Sequence, residues 1–415
     1  MSGFFDALET REPALREAAL MARLPAFLAR AAAGSAHAAR VLGRAEPGDI
    51  MSRPALAALP LTRKSDLIEA QAAAPPFAGL NGVPVGSLAR IFVSPGPIHE
   101  PQGQGTDTFR FARALHATGL RAGDVMQNCF AYHFTPAGFM LEGGARALGC
   151  PVIPAGTGNT EAQARAMAHL RPRAYSGTPD FLKTILERAD ELGLDVSSLR
   201  LGHVSGGAYL PALRGFYADR GLTVLQSYAT AECGVIAYES EAREGLILDE
   251  EVIVEIVRPG TGDLVAEGEV GEVVVTVFDE AYPLIRFATG DLSVFLPGTS
   301  PCGRTNVRIR GWMGRADQAA KMRGLFVRPE MVAEIARQCP GLGRMRLVIS
   351  EEAGHDQMEL RAEVPRGSVE EATLRDRLAA VLQSVTRLRG GVSLVPAGTL
   401  PNDGRIIDDT RPLPT

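Results

Sequence analysis

The sequence predicts an α/β protein: a large N-terminal domain of parallel βαβ sheets with a small β-barrel-like part, followed by a small α+β C-terminal domain. Three observations predict this fold class. Short apolar strands alternate with helices from residue 89 to residue 229, β-rich segments joined by Gly-containing turns begin at residue 247, and a mixture of strands and helices follows Gly314. The length of 415 residues also exceeds what one compact core usually holds.

The N-terminal region carries the alternating pattern. Residues 10–43 place Ala, Leu and Arg at helical spacing with few breakers, which predicts helices. A polar stretch punctuated by Pro and Gly covers about 44–87. Further helices are predicted at 105–119, 136–148, 160–170, 179–192 and 210–219, and strands at 89–94, 125–132, 150–156, 173–179 (with a turn), 199–207 and 223–229. Strands that alternate with helices of this length predict right-handed βαβ units and a largely parallel sheet.

Two further sequence patterns follow toward the C-terminus. VIVEIV, GEVVVTVF and LSVFL are β-rich, which predicts a meander or small barrel over about 247–312. The strands RLVIS, ELRAEV and VSLVPAG are then separated by helices at 328–338 and 369–387. These patterns predict one domain over residues 1–314 and a second over 315–415.

Composition excludes several classes of protein. A net charge of −5 leaves no basic footprint for nucleic acid or an anionic membrane. The five cysteines are scattered without a CxxC pair, which disfavours a disulfide framework and a zinc finger. The N-terminus lacks the apolar core of a secretion signal, and no later run reaches transmembrane length. We therefore expect a cytoplasmic protein with neither nucleic acid nor membrane as a partner.

Lysine is rare in this chain. Of 43 basic residues only Lys64, Lys183 and Lys321 are lysines, a bias typical of a GC-rich genome. Because arginine cannot give up its proton or act as a compact point charge, a retained lysine draws attention as a functional candidate.

Ordered motifs along nearly the whole chain resemble the phenylacetate–CoA ligase branch of the adenylate-forming superfamily. They include FFDALET near the N-terminus, SGGAYLP at 205–211, SYATAE at 227–232, RFATGDL at 286–292 and GRADQAAKMRG at 314–324. The resemblance implies the adenylate-forming enzyme fold with a mobile C-terminal lid domain. It also implies ATP or AMP, Mg²⁺ and CoA as ligands and a small carboxylic acid as substrate. Because relatives are often dimers, a homodimer is the default expectation.

The resemblance assigns an AMP site. Asp291 would grip both ribose hydroxyls, since a carboxylate is an acceptor-only fork suited to a diol, and Arg315 would meet the ribose. Tyr228 would stack on adenine, and Glu232 would hold Mg²⁺, whose hard charge prefers oxygen ligands. The plainer interpretations are a turn aspartate, a solvated linker arginine, a core aromatic and a solvated carboxylate. The remaining nucleotide-binding positions are Gly206, Gly207, Ala208, Ser227, Ala229, Ser94 and Gly96.

The phosphate loop departs furthest from the family pattern. Relatives carry a run rich in Ser, Thr and Gly that ends in Lys, whereas this chain has SPGPIHEPQG at 94–103. Its three prolines each remove an N–H donor, and Glu100 would repel a triphosphate. His99 is interpreted as a loop histidine, as a phosphate contact or as a base. The loop is therefore predicted to be degenerate or reshaped.

The catalytic positions also depart from the pattern. No lysine follows Lys321, so the usual adenylation lysine is absent, and Arg405 stands either for it or for a later basic residue. Lys321 matches a lysine that enters the site for thioester formation, and Asp317 or Gln318 would be the hinge. Of the metal-binding cysteine–histidine cluster of some relatives only Cys302 is retained, so no structural zinc is expected. The predicted acid pocket comprises Tyr132, His133, Phe134 and Ala137.

Three functional hypotheses follow. The first is an AMP-forming acid–CoA ligase for an aromatic or similar small acid, with Lys321, Arg405 and Glu232 as its catalytic residues. The second is a degenerate homologue that binds nucleotide or acyl-adenylate with little adenylation activity. The third is an adenylyltransferase that acts on a cofactor.

Overall fold

Most helices of this chain lie where the apolar periodicity predicts them, but two short helices lie within the stretch 44–87 that was predicted to be polar and irregular. The computed structural model describes residues 3–94, 97–316, 318, 320–322, 325–352, 355–365 and 371–411. Its α-helices are α1 (Pro13–Gly34), α2 (Ala36–Leu42), α3 (Arg53–Ala57), α4 (Leu67–Ala73), α5 (Phe111–Thr118), α6 (Ala137–Ala147), α7 (Thr160–Leu170), α8 (Pro179–Glu191), α9 (Pro211–Asp219), α10 (Pro329–Gln338) and α11 (Glu371–Thr386). Short 3₁₀ turns occupy Ala7–Thr10, Pro47–Asp49, Lys64–Asp66 and Val85–Ser87.

The strands fall into several sheets. They are β1 (Thr62–Arg63), β2 (Arg90–Ser94), β3 (Ile98–Gln102), β4 (Met126–Asn128), β5 (Val152–Pro154), β6 (Ala174–Gly177), β7 (Leu201–Val204), β8 (Thr223–Thr230), β9 (Gly234–Glu239), β10 (Leu246–Leu248), β11 (Val252–Val257), β12 (Gly271–Val277), β13 (Leu284–Ser293), β14 (Phe295–Leu296), β15 (Arg308–Ile309), β16 (Ala320–Met322), β17 (Leu325–Val327), β18 (Met345–Glu352), β19 (His355–Val364), β20 (Gly391–Pro396) and β21 (Ile407–Asp409).

The largest sheet has nine strands in the order β14-β15-β10-β9-β8-β7-β6-β4-β5. The strands β5, β4, β6, β7 and β8 pair in parallel, with helices between them in sequence. The predicted α/β class with parallel βαβ units is thereby confirmed. The pairs β8–β9, β9–β10 and β10–β15 are antiparallel, so part of the β-rich region extends this sheet. Three other β-rich strands join β1 in a four-stranded sheet of order β1-β13-β12-β11.

Helix α8 illustrates how the sequence builds this layer. Pro179 occupies its first turn, where a missing N–H costs nothing. Leu182, Ile185, Leu186 and Ala189 follow at helical spacing, and all four are buried in one cluster with residues of the parallel strands. The periodic apolar stripe therefore decides which face of the helix meets the sheet.

Helix α5 begins later than its sequence pattern predicts. The expected start was residue 105, but the helix begins at Phe111. The Asp107 carboxylate accepts hydrogen bonds from the backbone N–H groups of Phe111 and Ala112, each at 2.8 Å. A side chain that satisfies the free donors of the first turn fixes where the helix starts.

The chain divides into two compact units. Unit 1 comprises residues 1–254, 275–289 and 296–311, and unit 2 comprises 255–274, 290–295 and 312–415. In unit 2 the strands β20-β19-β18-β21 form a four-stranded sheet. Its core contains Leu347 and Leu360 from the sheet together with Ile335 of α10 and Leu378 of α11. The domain cut at 314–315 and the subdomain at 247–312 stay predictions.

Within the described residues no helix is both long enough and apolar enough to cross a membrane.

Candidate active site

Asp291 and Arg315 meet in unit 2. Asp291 lies near the end of β13 and is 8% exposed, and it forms an isolated antiparallel bridge with Arg315. An Arg315 guanidinium nitrogen lies 3.0 Å from Asp291 Oδ1. Gly290 has a positive φ of 77°, which favours glycine, and a Cβ there would lie 2.6 Å from the Arg315 guanidinium, which would have to shift. The structure thus brings two of the predicted ribose-binding residues together.

Trp312 is a residue of this site that sequence reasoning missed. Its Nε1–H donates to Asp291 Oδ1 at 3.1 Å, although the residue is 59% exposed. The available signal was that it is the single tryptophan of the chain and stands two residues before the GRAD motif. An exposed indole bonded to the proposed ribose carboxylate gives this protein a natural fluorescence reporter.

Tyr228 lies on β8 in unit 1. It is 8% exposed, and its hydroxyl donates to Thr289 Oγ1 at 3.1 Å. The pairing of β8 with β9 shifts register between Tyr228 and Ala229, a bulge of the kind that redirects side chains beside functional sites. The phenol is therefore held at a defined place in the sheet, and its stacking on adenine remains a prediction.

The SGGA segment follows the carboxyl end of β7. Gly206 has a φ of 68°, and Gly206, Gly207 and Ala208 are exposed. Because β7 and β8 are parallel neighbours, this segment and Tyr228 follow the same edge of the sheet. Ligands of open α/β sheets bind outside the carboxyl ends of the strands. The exposed glycines are therefore placed where a backbone can approach a flat base closely.

His203 holds Ser227 in place beneath this edge. Its Nδ1 lies 2.9 Å from Thr118 Oγ1, and its Nε2 lies 3.0 Å from Ser227 Oγ. The Thr118 hydroxyl donates to the Ala114 carbonyl, so Nδ1 carries the proton and Nε2 accepts from Ser227. Complete burial lowers the pKa of His203 to about 4, so the imidazole is neutral near pH 7. Ser227 is consequently positioned by a buried hydrogen bond.

The proposed phosphate loop belongs to a β-hairpin, and its predicted role as a degenerate or reshaped loop stays a prediction. Strands β2 and β3 pair from Arg90↔Gln102 to Ser94↔Ile98. Pro101 is tolerated because it lies in a strand of a two-stranded sheet. Gly96, one of the predicted nucleotide-binding residues, lies outside the described residues. His99 contacts Gln71 of α4 through its backbone N–H and carbonyl, which ties the hairpin to that helix.

Glu100 points into the protein. The residue is 1% exposed, and the Ser94 hydroxyl donates to its carboxylate. Burial, the largest cause, and the charge of Glu232 raise the pKa of Glu100 to about 7 against the opposing effects of the Ser94 hydrogen bond and the charge of Lys64. The sequence predicted that Glu100 would repel a triphosphate. Because the Glu100 side chain is buried, it does not present an ionised carboxylate to solvent.

Lys64 is the second residue that sequence reasoning did not place at the site. Its Nζ lies 2.8 Å from Glu232 Oε1, and the Glu232 side chain is fully buried. The short strand β1 pairs with β13 through Thr62↔Phe287, which fixes the backbone immediately before Lys64. The signal that pointed to it was the retention of only three lysines. A buried carboxylate thus receives its countercharge from a distant part of the sequence.

Several buried side-chain oxygens near Glu232 lack a hydrogen-bond partner in the described part of the chain. Within the described residues, Glu100 Oε2, the Tyr282 hydroxyl and both Glu232 oxygens have no hydrogen-bond partner, although Glu232 keeps its ion pair with Lys64. Among all residues that the structure describes, no group of three or more His, Cys, Asp or Glu side chains is arranged to hold a metal. Mg²⁺ usually binds through one or two carboxylates and substrate phosphates, so Glu232 fits it without such a group.

Arg405 lies near Arg315 within unit 2. Both arginines line a cavity of about 360 Å³ together with Gln318 and Asp408. The Arg405 side chain is 62% exposed and lies 3.5 Å from Asp408 Oδ1. Lys321 lies on β16, which pairs with β17. Asp317, the alternative hinge residue, falls outside the described residues.

The predicted acid pocket is one short segment that leads into α6. The Tyr132 hydroxyl accepts from Asn128 Nδ2 at 2.8 Å, and burial raises its pKa. Phe134 has a φ of 63° and is 65% exposed, and its carbonyl accepts from Val93 N–H at 3.0 Å. The rings of His133 and Phe134 are 4.7 Å apart. Ala137 is the first residue of α6. An exposed aromatic in a strained backbone region is typical of a ligand-contacting position.

Cys233, next to Glu232, is buried. Burial raises the pKa of its thiol to about 12, so it does not form a nucleophilic thiolate near neutral pH.

Comparisons with known proteins agree on one family. Residues 106–277 match a family described as AMP-binding enzyme. Phenylacetate-coenzyme A ligase of Thermus thermophilus is 32% identical over 377 residues, which cover 83% of this chain and 83% of the relative. Phenylacetate-coenzyme A ligase of Aromatoleum evansii is 31% identical over 365 residues, with 84% and 81% covered.

Solved structures show the same fold. A crystal structure of 2-hydroxyisobutyryl-CoA ligase in complex with 2-HIB-AMP superposes on this chain with a TM-score of 0.72 at 26% identity. The superposition covers 98% of this chain and 92% of that chain. The complex with 2-HIB-AMP and CoA gives 0.71 at 25% identity, with 99% and 93% covered.

Proposed function

This chain belongs to the phenylacetate–CoA ligase family, and we propose from that premise which acid and which residues its reaction uses. It is an AMP-forming acid–CoA ligase that works through an acyl-adenylate. A carboxylate oxygen attacks the α-phosphorus of ATP, and the bond to pyrophosphate breaks. The CoA thiol then attacks the acyl carbon and loses its proton, and AMP leaves with the electron pair of the broken C–O bond. Relatives that match over four fifths of the chain are CoA ligases, so the non-ligase and adenylyltransferase alternatives are not favoured.

The proposed substrate is phenylacetate or a similar small aromatic acid. Its support is the name shared by the relatives and the aromatic segment with Tyr132, His133, Phe134 and Ala137. A small branched hydroxy acid is the second candidate, since the structures that superpose belong to 2-hydroxyisobutyryl-CoA ligase.

The nucleotide half of the reaction is assigned to the Asp291–Arg315 pair, the observation that carries this proposal. Asp291 accepts from the ribose hydroxyls while the ion pair with Arg315 orients its carboxylate. Tyr228 and the Gly206–Ala208 backbone contact the base. Glu232 would hold Mg²⁺, which when bound neutralises phosphate charge. Lys64 orients Glu232 through Oε1, and Arg405 stabilises charge on the α-phosphate.

A pyrophosphate-exchange assay with a panel of acids tests the proposal. We expect exchange with phenylacetate or a related acid, and a loss on the order of 10²-fold in Asp291→Ala, because a charge-oriented ribose contact is removed. The exposed Asp263 supplies a matched control, and Asp263→Ala should leave exchange unchanged.

Trp312 fluorescence gives a second readout that needs no acid. AMP binding should change its emission in the wild type, because ribose hydroxyls compete with the indole N–H for Asp291. AMP binding without exchange for any acid of the panel would contradict the proposed acid. Unchanged exchange in Asp291→Ala would contradict the proposed ribose site.

A further inference from the structure

Gln318 makes the densest set of side-chain hydrogen bonds at the boundary between the GRAD motif and the C-terminal tail. Its Oε1 accepts from the backbone N–H groups of Ile406 and Ile407 at 2.6 and 2.9 Å. Its Nε2 donates to the carbonyls of Arg315 and Gly404 at 3.1 and 2.9 Å. One primary amide has two donors and two acceptor sites, so all of its hydrogen-bonding capacity is used. A flipped amide would oppose N–H to N–H and oxygen to oxygen, so its orientation is unambiguous.

Three of these bonds reach the backbone around Arg405, and the fourth reaches the Arg315 carbonyl. Gly404 and Ile406, the residues on either side of Arg405, are both bonded to the Gln318 amide. We call residues Gly404–Ile407 the tail arch. Gly404 has a φ of 71°, and a Cβ there would lie 2.8 Å from Val270, so the arch begins at a turn that requires glycine. The arch therefore has a defined backbone path, although the Arg405 side chain itself is mostly exposed.

The other end of the amide is tied to the ribose-binding pair. The Arg315 carbonyl accepts from Gln318, and Arg315 bridges Asp291. Backbone bonds reinforce that bridge, since Leu292 N–H donates to Gly314 and Ala316 N–H donates to Gly290, at 2.9 and 2.7 Å. A continuous hydrogen-bonded path thus runs from Asp291 through Arg315 and Gln318 to the backbone around Arg405.

We propose that Gln318 is a positioning residue for adenylation, whose side-chain amide holds the tail arch so that Arg405 stays in register with the Asp291–Arg315 pair. The inference rests on the proposed role of Arg405 in the first half-reaction. Arg405 supplies the charge, and Gln318 acts only through it. A lost positioning bond costs rate because a displacement of about 1 Å can lower a reaction rate by on the order of 10²-fold.

The first test is hydrogen–deuterium exchange of the intact chain. In Gln318→Ala the amides of Ile406 and Ile407 lose their acceptor, and their exchange should accelerate by about tenfold or more. Gln318→Glu keeps an acceptor for these amides but opposes a carboxylate to the Arg315 and Gly404 carbonyls, so it should be intermediate. The matched control is Gln357→Ala, a glutamine exposed on β19, which should leave both amides unchanged.

The second test is pyrophosphate exchange with phenylacetate in a double-mutant cycle. Gln318→Ala and Arg405→Ala should each lower kcat, and the double variant should be no slower than Arg405→Ala, because Gln318 acts through Arg405. Thioester formation from supplied phenylacetyl-adenylate should change by less than about threefold in Gln318→Ala, since contacts used in one step affect that step alone.

Each failure identifies its own cause. Two results for Gln318→Ala would overturn the positioning role. One is unchanged hydrogen–deuterium exchange of the Ile406 and Ile407 amides. The other is faster hydrogen–deuterium exchange of these amides with an unchanged rate of pyrophosphate exchange. The positioning role would also be overturned if the fold-losses in kcat of Gln318→Ala and Arg405→Ala multiplied in the double variant. If Arg405→Ala leaves exchange unaffected, the proposed function of Arg405 is wrong, and the Gln318 inference falls with it.

Discussion

At the residue scale, two charged side chains make contacts that their positions in the sequence do not suggest. The hairpin that stands for the phosphate loop has no lysine, yet Lys64 reaches a buried carboxylate from the end of β1. Glu100, which looks like an obstacle in the sequence, is buried, bonded to Ser94 and prone to be neutral below about pH 7. A residue type alone therefore did not determine the charge that each position presents.

Because Lys64 pairs with the buried Glu232, replacing Lys64 should destabilise the protein more than replacing the exposed Lys183. Lys64→Met leaves the buried Glu232 without its countercharge and should lower the free energy of unfolding by about 2–3 kcal/mol, a value reduced for the partial exposure of Lys64. Lys183 pairs with Glu187 on the exposed face of α8, so Lys183→Met should cost only about 0.5 kcal/mol. Thermal unfolding followed by circular dichroism compares the two.

The double variant Lys64→Met/Glu232→Gln sharpens this prediction. Removing the charge together with its partner should restore most of the lost stability, since the cost arises from an unpaired buried carboxylate. Equal melting temperatures for Lys64→Met and Lys183→Met would show that Glu232 does not depend on Lys64.

At the element scale, close packing between α5 and α6 supports the segment that carries the proposed acid pocket. Gly144 lies on α6, and a Cβ there would approach the Phe111 backbone to 2.7 Å. Gly215 lies on α9, and a Cβ added there would have no other heavy atom within 4 Å. The two glycines have the same residue type and the same secondary structure, but only Gly144 is required by a neighbour.

These helical glycines should therefore respond in opposite directions to alanine. Gly144→Ala forces α5 and α6 apart and should destabilise the protein by about 1–3 kcal/mol. Gly215→Ala adds helix propensity without a clash and should stabilise it by about 0.5–1 kcal/mol. Urea unfolding at pH 7 measures both, and a neutral Gly144→Ala would contradict the close approach of the two helices.

At the scale of the whole molecule, the family resemblance predicts that different charged residues serve the two half-reactions. Lys321 is assigned to thioester formation and Arg405 to adenylation, so their variants should have opposite profiles. Lys321→Ala should slow thioester formation by about tenfold more than adenylation, and Arg405→Ala should show the reverse, because each charge contributes only in the step where it meets its transition state.

Single-turnover assays measure the two steps separately, with phenylacetate and ATP for the first and supplied phenylacetyl-adenylate and CoA for the second. Each variant serves as the control for the other. An equal loss in both half-reactions for either variant would argue against two alternating catalytic arrangements.

The sequence by itself determined the elements whose signal is local. Helices α7 and α8 were predicted to within one residue, because apolar periodicity and end signals such as Pro179 lie within the segment. The parallel pairing among β4 to β8 followed from the alternation of strands and helices, but their order in the sheet did not. The ordered motifs were also sufficient for the family, which the comparisons confirmed.

Tertiary structure decided what depends on distant pairing. The burial of Glu100, the Lys64–Glu232 ion pair and the Gln318 amide around Arg405 all depend on contacts with residues that are far away in the sequence. The free energy of such contacts comes from desolvation and hydrogen-bond satisfaction, which exist only once the chain has packed. For this protein the sequence therefore determined the fold and the family, and the packed structure decided which side chains supply its charges.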